Sequence, residues 1–228
     1  MIDNRTKLHP GVRAPYEIPA GDDIGDFTWV AAMARWMFGL TEKTGLEAVR
    51  ELAELTGEDP LYYNGSLDRI AWLLSEGLRF IEIDALDIDE LRARRQAYRE
   101  ELDSGSPSRR AHWTDKRIDR TIANYTKFWA RLQALPAEAQ TRYTRKQQRP
   151  TVSDVLALIE SGNVVAITLQ PAPDRNYGPY VLFYGVDGDT LLGYQPTRKE
   201  GTLVRMSTAE VERQWPRQFL LGIGRPQR

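Results

Sequence analysis

The chain has 228 residues, 31 Lys+Arg against 32 Asp+Glu, and a formal net charge of −1, a balance that offers no global field for nucleic acid or an anionic membrane. The absence of cysteine removes disulfides, thiolate metal sites and a thiol nucleophile together, and two histidines, His9 and His112, are too few for a His-rich metal site. Apolar residues make up 41%, enough for a proper core, and no apolar run approaches the roughly 18–20 residues that span a bilayer.

In chain order, Met1 to Gly21 is polar, without an apolar signal region, so a cytoplasmic address is expected. Pro10, Pro15 and Pro19 block a helix and make residues 1 to 25 a loop-rich lead-in. Asp26 to Phe38 follows as a helix of small and apolar residues ending at Gly39, apolar on enough faces to belong at the centre. A second helix runs from Thr44 to Thr56, with Leu46, Val49, Leu52, Ala53 and Leu55 near helical spacing. A third covers Ser66 to Glu76 and stops at Gly77. Leu78 to Asp84 reads as a short strand, and Asp87 with Glu90 has capping-box spacing for a charged helix reaching about Leu102.

Residues 92 to 150 differ in composition, with 15 Lys+Arg against 6 Asp+Glu, a local balance of +9. The stretch reads as a basic helical insertion, broken at Ser104 to Ser108. Ile118, Ile122, Tyr125, Phe128, Trp129 and Leu132 form an apolar and aromatic stripe between Thr114 and Leu135. Thr151 to Glu160 is a short helix closed by Gly162, and Asn163 to Leu169 is a β-branched buried strand. After a loop over Pro171 to Gly178, Tyr180 to Tyr184 and Thr190 to Tyr194 are strands joined by a hairpin turn. Ser207 and Glu210 box the start of a helix through Trp215, and Phe219 to Ile223 is a last strand. Helices first and an antiparallel meander later predict an α+β fold in a single domain over residues 1 to 228, the sheet packed on the central helix.

Among residues that could carry chemistry, Asp22, Asp23 and Asp26 form a carboxylate cluster at the central helix's start. Clustered carboxylates can raise one pKa or hold a cation, but capping and turn formation are their plainer use. Thr28 has no base in a matching stretch. Tyr177, Tyr180, Tyr184 and Tyr194 crowd the hairpin; strand alternation assigns most to packing and leaves Tyr177 as the best wall of a groove. His9 and His112 are isolated, and Gly185 to Asp189 lacks the glutamate of a Ca²⁺ loop. No metal and no cofactor is expected.

Three stretches resemble the papain-like peptidases that cleave double-glycine leaders from bacteriocins. The central helix is similar to that family's nucleophile helix, with Met33, Trp36, Phe38 and Gly39 in place and Asp26 where the cysteine would stand. Thr151 to Ile167 resembles the family's short helix, glycine and buried strand. Gly178 to Pro196 resembles its hairpin, with Pro179 at the histidine position and Gln195 at that of the orienting acid. The closing helix with Trp215 and the final strand also fit, while the upstream oxyanion glutamine would fall near Ala20.

The resemblance implies a papain-like fold whose thiol chemistry is gone, since proline cannot accept a proton and no nucleophile–base pair remains. The function it implies is binding of a peptide or peptide-like ligand without cleavage, with Asp22, Asp23, Asp26, Trp29, Tyr177, Tyr180 and Gln195 around the cleft. The alternative is a repurposed acyl-transfer or amide-forming biosynthetic enzyme using Asp26 and Tyr177. A third expectation is a partner protein, or a second copy of this chain, docking on the basic insertion through Arg142, Arg145 and Lys146; nucleic acid is disfavoured because no binding motif accompanies the charge.

Overall fold

The computed structural model describes residues 8–16, 26–56, 66–104, 114–170, 179–195, 203–215 and 219–226. Helices α1 (Asp26–Met37), α2 (Gly45–Thr56) and α3 (Ser66–Ser75) come first. Strand β1 (Arg79–Asp84) precedes α4 (Ile88–Ala93), α5 (Arg95–Ser104), α6 (Asp115–Ala134) and α7 (Ala137–Gln140). Then come β2 (Tyr143–Gln147), α8 (Val152–Glu160), β3 (Val164–Thr168), β4 (Tyr180–Asp187), β5 (Thr190–Tyr194), β6 (Leu203–Ser207), α9 (Thr208–Gln214) and β7 (Phe219–Gly224).

The strands form one sheet in the order β2-β1-β7-β3-β4-β5-β6. Both faces are covered, so the molecule is α+β in three layers. Residues alternating along each strand divide between two cores. Phe80, Val164, Ala166, Leu182, Tyr194 and Leu221 face α1, α2, α3 and α6, while Val165, Ile167, Val181, Phe183 and Leu220 face α8 and α9. α1 lies at the centre of the larger core, with Val30, Ala31, Ala32, Met33 and Ala34 fully buried. Its small residues let the neighbouring helices approach, and Gly39 closes it at φ +66, a backbone state costly for any residue with a Cβ.

Turn chemistry sets the register of the meander. Asp187 pairs with Thr190, leaving Gly188 (φ +63) and Asp189 as a two-residue turn. A bulge between Phe183 and Gly185 interrupts the ladder, and Leu8 of the lead-in bridges to Gly185. Reciprocal capping boxes start α8 (Thr151 with Asp154) and α9 (Ser207 with Glu210). Among the described residues, no helix is long and apolar enough to cross a membrane.

Three expectations are corrected. Residues 92–150 are not wholly helical: the stretch ends in β2, which pairs in parallel with β1 and becomes a sheet edge. Every other described strand pair is antiparallel, as expected. The charged helix from Asp87 to Leu102 is two helices, because Arg94 leaves helical geometry at φ −123, ψ 42. Asp87 caps the first, accepting from the amides of Asp89 and Glu90, but Glu90 does not reciprocate; its carboxylate pairs with Arg94.

Candidate functional site

The start of α1 lies against the start of β4. The Phe27 and Tyr180 rings meet edge to face with centroids 5.6 Å apart. Pro179, just before β4, is half-buried, and its carbonyl accepts from the Leu169 amide at 3.0 Å, which holds it beside the end of β3. Gln195 directly follows β5, whose last residue, Tyr194, pairs with Leu182 of β4. The backbone positions of Asp26, Pro179 and Gln195 therefore gather at one end of the sheet, next to the first turn of the central helix.

Asp26 is the first helical residue of α1, so its backbone N–H is one of the helix's orphan donors. Asp22, Asp23, Tyr177 and His112 lie outside the described residues, as does Ala20. Trp29 is core at 1% exposure, and Gln195 is buried at 8%. Tyr184 and Tyr194 pack inside the large core, whereas Tyr180 is half-buried at its margin. Tyr180 thus marks the border between core and surface.

No described imidazole reaches this place. His9 stacks on Gly162, where an added Cβ would come within 2.8 Å of its ring, at the start of β3 rather than its end. Among the described residues no group of three or more His, Asp or Glu side chains could hold a metal ion.

A second constellation escaped sequence reasoning. Glu82 and Asp84 alternate with Ile81 and Ile83 on β1, on the face that meets α6, and are 0% and 5% exposed. Tyr125 Oη of α6 sits 2.7 Å from Glu82 Oε1 and 2.8 Å from Asp84 Oδ2. From β2, Tyr143 donates its hydroxyl to Glu82 Oε2, and Arg145 Nε donates to Glu82 Oε1 at 3.2 Å. The Arg145 guanidinium also lies 5.2 Å from the Tyr125 ring centre and donates to the Leu86 carbonyl. The Leu86 amide donates to Asp84 Oδ1 at 2.8 Å. Burial, and then the neighbouring Glu82 charge, push the Asp84 carboxyl up to about 7. Burial and the same two acids raise the Tyr125 hydroxyl as well. The signal in sequence was two acids alternating with isoleucines in a strand flanked by apolar residues.

This cluster divides the proposed contact cations. Arg145 turns inward, and Arg142 is spent on the Leu74 carbonyl at 3.1 Å and on Glu138. Of the three, Lys146 alone is exposed.

No protein-family model and no curated protein sequence matches the chain. Among solved structures it is similar to the peptidase domain of Streptococcus ComA, a bifunctional ABC transporter involved in a quorum-sensing pathway. The identity is 12%, over 94% of this chain and 100% of that one, with a TM-score of 0.44. At that likeness no residue role passes from one chain to the other.

Proposed function

We propose that this chain is a papain-like protein without the ancestral thiol chemistry, which binds a peptide or peptide-like ligand at the sheet end beside α1 and leaves it intact. One observation carries the reading. The positions matching the peptidase triad gather at one sheet end, and there the chain offers Asp26, Pro179 and Gln195 in place of a thiol, an imidazole and an acid. Such a place can supply apolar area, a ring edge from Tyr180 and helix N–H groups, which suit an extended peptide with a carbonyl or carboxylate to anchor.

A synthetic double-glycine leader peptide titrated into the protein tests this. Saturable binding is expected, weakened at least about tenfold by Tyr180→Ala while the circular dichroism spectrum is kept. Binding indifferent to Tyr180, or none, would count against it. Turnover of the peptide that Asp26→Asn abolishes would favour the acyl-transfer alternative instead.

A further inference from the structure

We propose that Glu82 and Asp84 share one proton through the Tyr125 hydroxyl, and that this proton latches α6 and β2 onto β1, so that its loss loosens the insertion from the sheet.

The hydrogen-bond geometry demands the proton. A tyrosine hydroxyl has one hydrogen, yet Tyr125 Oη stands within 2.8 Å of two carboxylate oxygens. It can donate to one; the other oxygen approaches a lone pair and needs a hydrogen of its own. Glu82 is the better anion, because Tyr143 and Arg145 Nε both donate to it. Among the described residues, Asp84 Oδ2 has only Tyr125 within hydrogen-bond range, the Arg145 guanidinium being 3.8 Å away. The consistent arrangement is Asp84–OH donating to Tyr125 Oη, and Tyr125 donating to ionised Glu82.

Charge leads to the same place. From β1 come Glu82 and Asp84, from β2 Arg145 and Tyr143, from α6 Tyr125, and the turn before α4 adds the Leu86 amide and carbonyl. On the far side of β1 the paired residues are Leu221 and Phe219, neither of which can ionise. Asp87 lies further out, held by Gln147 and the α4 amides. Tyr98 donates to the Ala85 carbonyl and accepts from the Asp87 amide. Among the described residues, two anions against one guanidinium leave a buried net negative charge, which one proton removes.

The sign follows from linkage. A carboxyl whose folded pKa lies above its ordinary value binds its proton more tightly when folded, so stability is full below the ordinary aspartate range. It falls as pH rises from there to about 7 and is level beyond. Each unit of displacement multiplies the opening equilibrium tenfold.

Asp84→Asn is the direct test, since Asn can accept from the Leu86 amide and donate to Tyr125 as the protonated acid does. Thermal melts between about pH 5 and pH 9 should show a wild-type Tm that falls toward neutrality and a shallower profile in the variant, which is at least as stable as wild type at the alkaline end. Hydrogen exchange, corrected for its intrinsic pH dependence, should open β2 amides at least about tenfold faster above neutrality than at the acid end in wild type only. Independently of the variant, a protonated-carboxyl infrared band should persist in the native protein near pH 6, well above the ordinary aspartate value. A variant that unfolds or keeps the wild-type slope, or a native protein without that band, would overturn the proposal.

Discussion

At the scale of single residues, the described part of the molecule keeps its buried charges where several donors converge. Arg35 on α1 is 3% exposed and reaches Glu51 at 2.6 Å and Glu76 at 2.9 Å, while Thr41 donates to the same Glu51 oxygen at 2.7 Å. Burial works to raise the Glu51 carboxyl, but the hydrogen bonds from Thr41 and Arg35 outweigh it and hold the group below its usual range. Arg35→Ala removes the cation that joins Glu51 and Glu76, leaving Glu51 the weaker Lys43 contact at 3.4 Å, and is expected to cost about 3 kcal/mol in urea unfolding. Because Glu51 is depressed, its contribution is present above the usual glutamate range and is lost as pH falls through the lower folded value. That acid-side loss opposes the gain from Asp84, and Arg35→Ala should leave a stability profile that keeps rising as pH falls toward the usual aspartate range. Tyr125→Phe removes the hydroxyl that bridges both β1 acids and should cost about 1–3 kcal/mol at neutral pH by the same measurement.

At the scale of elements, the ends are set by local chemistry that sequence displays openly. The start of α9 at Ser207, the hairpin between β4 and β5 and the stop of α1 at Gly39 were legible, because capping boxes and left-handed glycines act through neighbours in the chain. β4 nevertheless continues to Asp187 and leaves a turn of two residues where the sequence suggested five. Gly39→Ala should cost about 1–2 kcal/mol, read as a lower Tm, since φ +66 is strained for alanine and the Arg13 side chain lies 3.3 Å from the added carbon. β2 was not legible. Tyr143-Thr-Arg-Lys-Gln has the alternation of a strand, but its inward residues are an aromatic and an arginine, and its partner is parallel and distant in sequence. Burial of Arg145 depends on two acids some sixty residues away, and no local period reports that. β6 was missed for a related reason: a short edge strand with an exposed Leu203 carries little periodic signal.

At the scale of the whole molecule, the order of helices and meander strands was readable, and the architecture is α+β. The candidate site is defined by backbone positions alone. Pro179 and Gln195 lie next to β4 and β5 at one sheet end, whereas Trp29 lies inside the core, out of reach of a ligand at the surface. The insertion is tied to the sheet by its own strand, and its inward cations serve that attachment. Lys146 and Arg149 remain exposed on or beside the β2 edge. If a partner protein docks there, Lys146→Glu with Arg149→Glu should weaken the complex and reduce its salt dependence, in ultracentrifugation at low and high ionic strength, while the Tm stays within about 1 °C because exposed charges contribute little to stability. Equal mobility in both salts for native and variant protein would count against such an interface.

The central proposal is that the sheet end beside α1 holds a peptide without doing chemistry on it. Time-course mass spectrometry of a double-glycine leader peptide held with stoichiometric protein reads both halves, provided the bound fraction is followed by native electrospray. The account predicts a complex whose peptide keeps its starting mass throughout. A shorter, longer or covalently attached peptide would contradict it, as would the absence of any complex.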